Sequence, residues 1–173
     1  MSVVCGIDPG NNGALAFLDY RKALIHVIDM PTFEFATTKN RTEIDPHGIA
    51  RALSEYKIEH VYLEEVFSSP QMGVTSAFNF GQGKGMIRGV VAALKIPLTQ
   101  IKPAKWKKDM HVPADKKAAV ARASQLIPGA ASCFRGPRGA ALDGRAEAAL
   151  LALYGALELG RNPTRPLTMV NGE

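Results

Sequence analysis

Four carboxylates carry the chemistry open to this sequence: Asp8, Glu64, Asp143 and Glu147. Asp8 follows the apolar run from Val3 to Ile7, Glu64 lies inside Val61-Tyr62-Leu63-Glu64-Glu65-Val66-Phe67, and Asp143 and Glu147 open a final Ala- and Leu-rich segment. An ionised carboxylate in apolar surroundings needs a counter-charge, a proton or a metal ion. Strand alternation puts Tyr62, Glu64 and Val66 on one face and Leu63, Glu65 and Phe67 on the other, so only one of the two glutamates points into any given site. Asp143 and Glu147 are four apart and share one face of a helix. Oxygen ligands of this kind suit Mg²⁺, with Mn²⁺ as a substitute. Two such ions can activate water and stabilise the leaving oxygen in phosphodiester hydrolysis. No Ser/His or Cys/His arrangement competes. Taken singly, each acid also has an ordinary structural reading: Asp8 opens a turn, Glu64 and Glu65 decorate an edge strand, Asp143 caps the last helix, and Glu147 is solvated.

The elements that must position these acids follow an α/β order. Val3 to Ile7 and Gly13 to Leu18 are apolar runs joined by Asp8-Pro9-Gly10-Asn11-Asn12, a turn composition, and Ala23 to Met30 completes an antiparallel meander. Phe33 to Thr42 reads as a loop. Asp45-Pro46 starts a helix reaching to about Lys57, with Ile49, Leu53 and Tyr56 as its apolar stripe. His60 to Phe67 returns as a strand, a Ser-Ser-Pro loop follows, and Thr75 to Leu94 is helical despite its glycines. Pro97 to Ile101 is a fifth strand. Helices follow at Ala104 to Met110 and Ala114 to Leu126, then a Gly/Pro/Arg loop from Phe134 to Ala141 and a last helix from Leu142 to Leu159. This predicts one domain over residues 1–160 and a flexible tail over 161–173.

Charge points to the partner. The chain has 173 residues and a net charge of +5, yet Lys84 to Arg145 holds 13 Lys and Arg against three acids, a local balance of +10 that leaves −5 elsewhere. Basic surface of this kind attracts a phosphate backbone. Cys5 and Cys133 have no zinc-site spacing. Asp8 lies close to the first residue and no apolar run approaches ~18 residues, so a soluble cytoplasmic protein with no leader and no membrane span is expected.

Together with their neighbours the acids resemble the RuvC family of Holliday junction resolvases. The matching pieces are Gly6-Ile7-Asp8-Pro9-Gly10, Leu63-Glu64-Glu65-Val66-Phe67, Gly81-Gln82-Gly83-Lys84-Gly85, Lys107, Lys116, and Asp143 to Ala152, spanning about residues 3 to 155. The resemblance implies a ribonuclease H-like fold, read here as a five-stranded mixed sheet with helices on both faces. It further implies a homodimer acting on four-way DNA junctions, two metal ions per site, and paired nicks leaving 5′-phosphate ends. Residue by residue, Asp8 and Glu64 match the family's first two acids. Lys107 and Lys116 match lysines near the scissile phosphate and backbone, and Phe67 matches an aromatic that stacks on opened bases. The family's last helix usually carries two acids three residues apart, the second an Asp. Here Glu147 takes that place with Asp143 four before it, an arrangement similar to phage-type members.

The remaining candidates are basic or aromatic. Lys102, Lys105, Lys107 and Lys108 surround Trp106, whose indole reads as a core anchor before it reads as a base-stacking platform. Lys117, Arg135 and Arg138 are further DNA-contact candidates, and His111 is a phosphate contact or nothing. Phe78 and Phe80 read as core. Gly81, Gly83 and Gly85 lack the Lys-Ser/Thr end of a phosphate loop and read as close helix packing at a dimer interface. Two rivals stay open: a related nuclease acting on forks, flaps or RNA:DNA hybrids, and a junction binder with weak catalysis. The two-lobed sugar-kinase and chaperone ATPases need more chain than 173 residues.

Overall fold

A computed structural model describes residues 3–34, 42–67 and 71–170. The Ser-Ser-Pro loop, most of the expected 33–42 loop and the last three residues lie outside the described residues. In chain order the elements are β1 (Val3–Asp8), β2 (Ala14–Asp19), β3 (Leu24–Asp29), β4 (Thr32–Glu34), β5 (Thr42–Ile44), α1 (Pro46–Ser54), β6 (Ile58–Glu64), α2 (Val74–Ala93), β7 (Leu98–Ile101), α3 (Pro103–Asp109), α4 (Lys116–Leu126), α5 (Asp143–Glu158) and β8 (Thr168–Met169). Two short 3₁₀ turns, Ala131–Phe134 and Pro137–Gly139, lead into α5.

The main sheet is mixed, with strand order β7-β6-β1-β2-β3-β8. β1, β2 and β3 form the expected antiparallel meander, and β1, β6 and β7 run parallel. The parallel pair β6–β7 is joined through α2, as such pairs require a long crossover. Alternation divides the core in two. Val4, Ala16, Leu18 and Tyr62 pack with Trp106, Phe134 and the apolar side of α5, while Cys5, Ile7, Leu15, Phe17 and Leu63 pack with Ile49 and Leu53 of α1 and Ile87 and Val91 of α2.

Helix starts follow local chemistry. Asp45 caps α1 by accepting from the His47 N–H at 2.9 Å, with Pro46 in the first turn, and Asp115 caps α4 through the Ala118 N–H at 2.8 Å. α5 has no side-chain cap: Asp143 is its first helical residue, where its charge favours the positive end of the helix dipole.

Four expectations are corrected. The sheet has six strands rather than five, because Thr168–Met169 adds to the free edge of β3. The Thr168 and Val170 N–H groups donate to the carbonyls of Ala23 and Ile25 at 2.9 Å each, and Leu167 is buried beneath, so residues 167–170 of the segment expected as a flexible tail are seated on the sheet. The ends of the expected 33–42 loop pair as a small β4–β5 ribbon. Phe134, placed in a loop from sequence, is fully buried.

Candidate metal centre and nucleic-acid surface

Asp8 and Glu64 are the last residues of β1 and β6, neighbouring parallel strands, and both lie on the face covered by α5. Glycine brings that helix close enough to matter. A Cβ on Gly6 would overlap the backbone of Ala148 and Ala152, and one on Gly144 would overlap the Asn12 carbonyl in the β1–β2 turn. α5 therefore crosses the strand ends at backbone distance and delivers Glu147. Carboxylate oxygens of Asp8, Glu64 and Glu147 all lie within 4.8 Å of one another.

Three acids so close repel, and the consequence is visible in their proton affinities. The Asp8 carboxyl is pushed up to about 7, first by burial, then by the charges of Glu64 and Glu147 and more weakly by Asp143, against a backbone N–H from Gly10. Glu64 is also raised, by burial and then by Glu147; Lys107 and the Trp106 indole pull it down. Burial and mutual repulsion are the conditions that a divalent cation relieves.

Two adjacent residues of α3 brace the cluster. The Trp106 indole N–H donates to Glu64 Oε1 at 3.1 Å, and the Lys107 ammonium donates to Glu147 Oε1 at 2.6 Å. Trp106 is 0% and Glu64 4% exposed, so the core reading of the tryptophan holds. Sequence reasoning missed the indole's partner; the signal was available, since a buried indole N–H needs an acceptor and few lie nearby in an apolar core. Asp143 is not among the three clustered acids: it pairs with Lys116 at 2.5 Å. That bond raises the Lys116 ammonium, with weaker help from Glu147 and Asp8.

The basic candidates fall into distinct places. Lys117, Arg135 and Arg138 line one groove beside Ala141, next to the start of α5. Lys102 and Lys108 are exposed at the two ends of α3. Lys105 is engaged, donating at 2.9 Å to both Asp109 and the Tyr154 hydroxyl. His111 is exposed in a left-handed turn (φ 55°) and its ring meets the Lys108 carbonyl. Phe67 is 67% exposed, with the Lys84 ammonium 5.2 Å from its ring centre and 3.1 Å from the Val66 carbonyl. Phe78, expected in the core, is 68% exposed on α2. Of the glycines read as one interface, Gly83 packs inward on Ile44, while Gly81 and Gly85 face open space. Arg145, unremarked in the sequence, grips Asp29 at the end of β3 with two bonds of 2.6 Å and holds the Asp29 carboxyl below its usual range.

The meander followed by two parallel strands, with acids at the ends of the central pair and on a crossing helix, defines a ribonuclease H-like fold. Among solved structures the chain is similar to RuvC of T. thermophilus in complex with a Holliday junction substrate (TM-score 0.61, 16% identity, 95% of this chain and 99% of that one). It is similar also to Thermus thermophilus RuvC in a second structure (0.54, 17%, 92% and 97%) and to the yeast mitochondrial Holliday junction resolvase Ydc2 (0.53, 19%, 91% and 81%). No family model and no curated protein sequence matches the chain.

Proposed function

We propose that this chain is a structure-selective, metal-dependent endodeoxyribonuclease that resolves four-way DNA junctions by paired nicks. One observation carries the reading: Asp8, Glu64 and Glu147 converge within 4.8 Å on a fold that, in T. thermophilus RuvC, is seen with a Holliday junction substrate.

A divalent metal fits the donor set. The three clustered acids are hard oxygen ligands, partly or fully buried, and among the described residues the basic side chain bonded to them is Lys107 alone. Asp8, Glu64 and Glu147 would hold Mg²⁺, with Asp143 at the flank as a further ligand for a second ion and Mn²⁺ as a substitute. Bound there, the metal supplies charge neutralisation for the phosphate and activation of the attacking water. Hydrolysis adds water across the P–O3′ bond, leaving a 3′-hydroxyl and a 5′-phosphate.

The chain's own residues do the rest. Lys107, at the cluster, and Lys116, at its edge, sit where a scissile phosphate and its neighbour would lie. Lys117, Arg135 and Arg138 track the continuing backbone, Lys102 and Lys108 extend that surface along α3, and Lys105 joins it by exchanging Asp109 for a phosphate. Phe67 stacks on bases unpaired at the junction centre. One such domain cuts one strand, so paired nicks need two copies. The outward face of α2 suits that contact: Val74 and Phe78 are exposed beside Gly81, Gly85 and Gly89, which leave room for a second helix to approach. No described helix is long and apolar enough to cross a membrane; action on branched DNA would place the chain in the bacterial or phage-infected cytoplasm.

The test is cleavage of matched synthetic junction, fork, flap, RNA:DNA hybrid and linear substrates with and without Mg²⁺. Expected is Mg²⁺-dependent paired nicking of the junction, abolished in Asp8→Asn. Preference for another substrate selects a related nuclease, and binding without cutting selects a junction binder; either result overturns resolution.

A further inference from the structure

Trp106 is the only tryptophan in the chain, and its one polar side-chain atom donates to a carboxylate of the acidic cluster. A fully buried indole could have been satisfied by a backbone carbonyl; here the acceptor is Glu64 Oε1, 42 residues away and itself nearly inaccessible. The next residue, Lys107, holds Glu147 from the same short helix. One turn of α3 thus grips two of the three clustered acids by different atoms. We propose that Trp106 is a positioning residue that fixes the rotamer of Glu64, so that α3 as a rigid piece sets the Glu64 to Glu147 spacing for the incoming cation. This rests on the metal-dependent reading above and adds to it a residue that touches neither metal nor DNA.

The physical argument is one of freedom removed. An unsupported glutamate has three side-chain torsions, and orienting it on binding costs entropy. A hydrogen bond to one oxygen leaves the second oxygen and the remaining lone pair aimed into the cluster. Loss of such an outer partner weakens metal binding by about 10-fold or more.

The experiment compares wild type with Trp106→Phe, which keeps the packing ring and removes the N–H. Calorimetric Mg²⁺ and Mn²⁺ titrations of each are read beside metal-free junction binding and thermal melting. Expected is a metal midpoint weakened about 10-fold in Trp106→Phe, unchanged junction affinity without metal, and cleavage that returns toward wild type at saturating Mn²⁺. A purely structural role lowers the melting temperature and leaves the metal midpoint in place; that outcome overturns the proposal. The wild-type arm stands independently of whether Trp106→Phe folds. Its single indole reports on Glu64, so tryptophan emission shifts along the calorimetric Mg²⁺ isotherm, and saturable metal binding with unchanged emission overturns the proposal. Should wild type bind no metal at all, the nuclease reading falls with it, a result distinct from metal bound with an unshifted midpoint.

Discussion

The Lys107 ammonium lies 2.6 Å from Glu147 Oε1, with their side chains only 24% and 14% exposed. Its charge offsets part of the repulsion among three acids, and a divalent ion would do the same work more strongly. Lys107→Met should therefore destabilise the metal-free protein at neutral pH by about 2 kcal/mol, as loss of a charged hydrogen bond does. Saturating Mg²⁺ should recover most of that loss. Melting curves in EDTA and in Mg²⁺ measure both; equal losses in the two would remove Lys107 from the cluster's charge balance.

Asp8 gives a pH signature. Its carboxyl is raised from an ordinary 3.8 to about 7, so between those values the folded protein holds a proton that the unfolded chain has released. With this group alone, metal-free stability falls as pH rises from about 4 to about 7 and changes no further above it. Asp8→Asn should leave stability near pH 4 almost unchanged and raise it at pH 8, by a few kcal/mol at most. Bound metal reverses the sign, because Asp8 must then be ionised, and cleavage at limiting Mg²⁺ should climb through pH 7. Urea denaturation at both pH values, with EDTA or Mg²⁺, checks the reversal.

Two glycines separate the helix that builds the centre from the helix expected to pair copies. Gly6→Ala forces a methyl into the α5 backbone, and relief requires lifting α5; a loss of about 3 kcal/mol or more and failure to bind metal are expected. Gly85→Ala meets nothing and gains helix propensity of about 1 kcal/mol. Sedimentation and melting should show the Gly85→Ala subunit more stable yet its dimer weaker. An unchanged dimer would move the interface off this face of α2.

The groove of Lys117, Arg135 and Arg138 predicts a salt dependence. Removing one phosphate-binding cation should lower the slope of log affinity against log salt by about one. A triple Ala variant should bind junctions more weakly at low salt with a slope shallower by about three, while the metal midpoint stays. A parallel loss at every salt concentration would point to folding, not to phosphate binding.

How much was legible before the fold depended on distance along the chain. The turn at Asp8 to Asn12 and the Asp45-Pro46 helix start are local signals, and each lies where its composition points; Glu64, read inside a strand from His60 to Phe67, instead ends β6. Glu147 was legible as a helix neighbour of Asp143, but which of the two reaches the cluster depends on where α5 crosses β1. That is settled by Gly6 and Gly144, whose importance is invisible until their neighbours are known. β8 is too short to show a period and exists because the β3 edge is free. Lys105 looked like its neighbouring lysines; its partner Asp109 lies one helical turn away in sequence, but Tyr154 reaches it only once α5 is in place.

Arg145 and Asp29 acquire a meaning from this geometry. Asp143 and Glu147 are four residues apart, about 6 Å along the helix axis. A slip of α5 by little more than one turn would withdraw one acid from the centre and present the other in its place. Arg145, between them in sequence, ties this stretch of the helix to the end of β3 by two bonds to Asp29. It acts as a detent beside the close seat that Gly6 and Gly144 give α5: the close seat selects the third ligand, and the ion pair adds a second, polar tie to the same register.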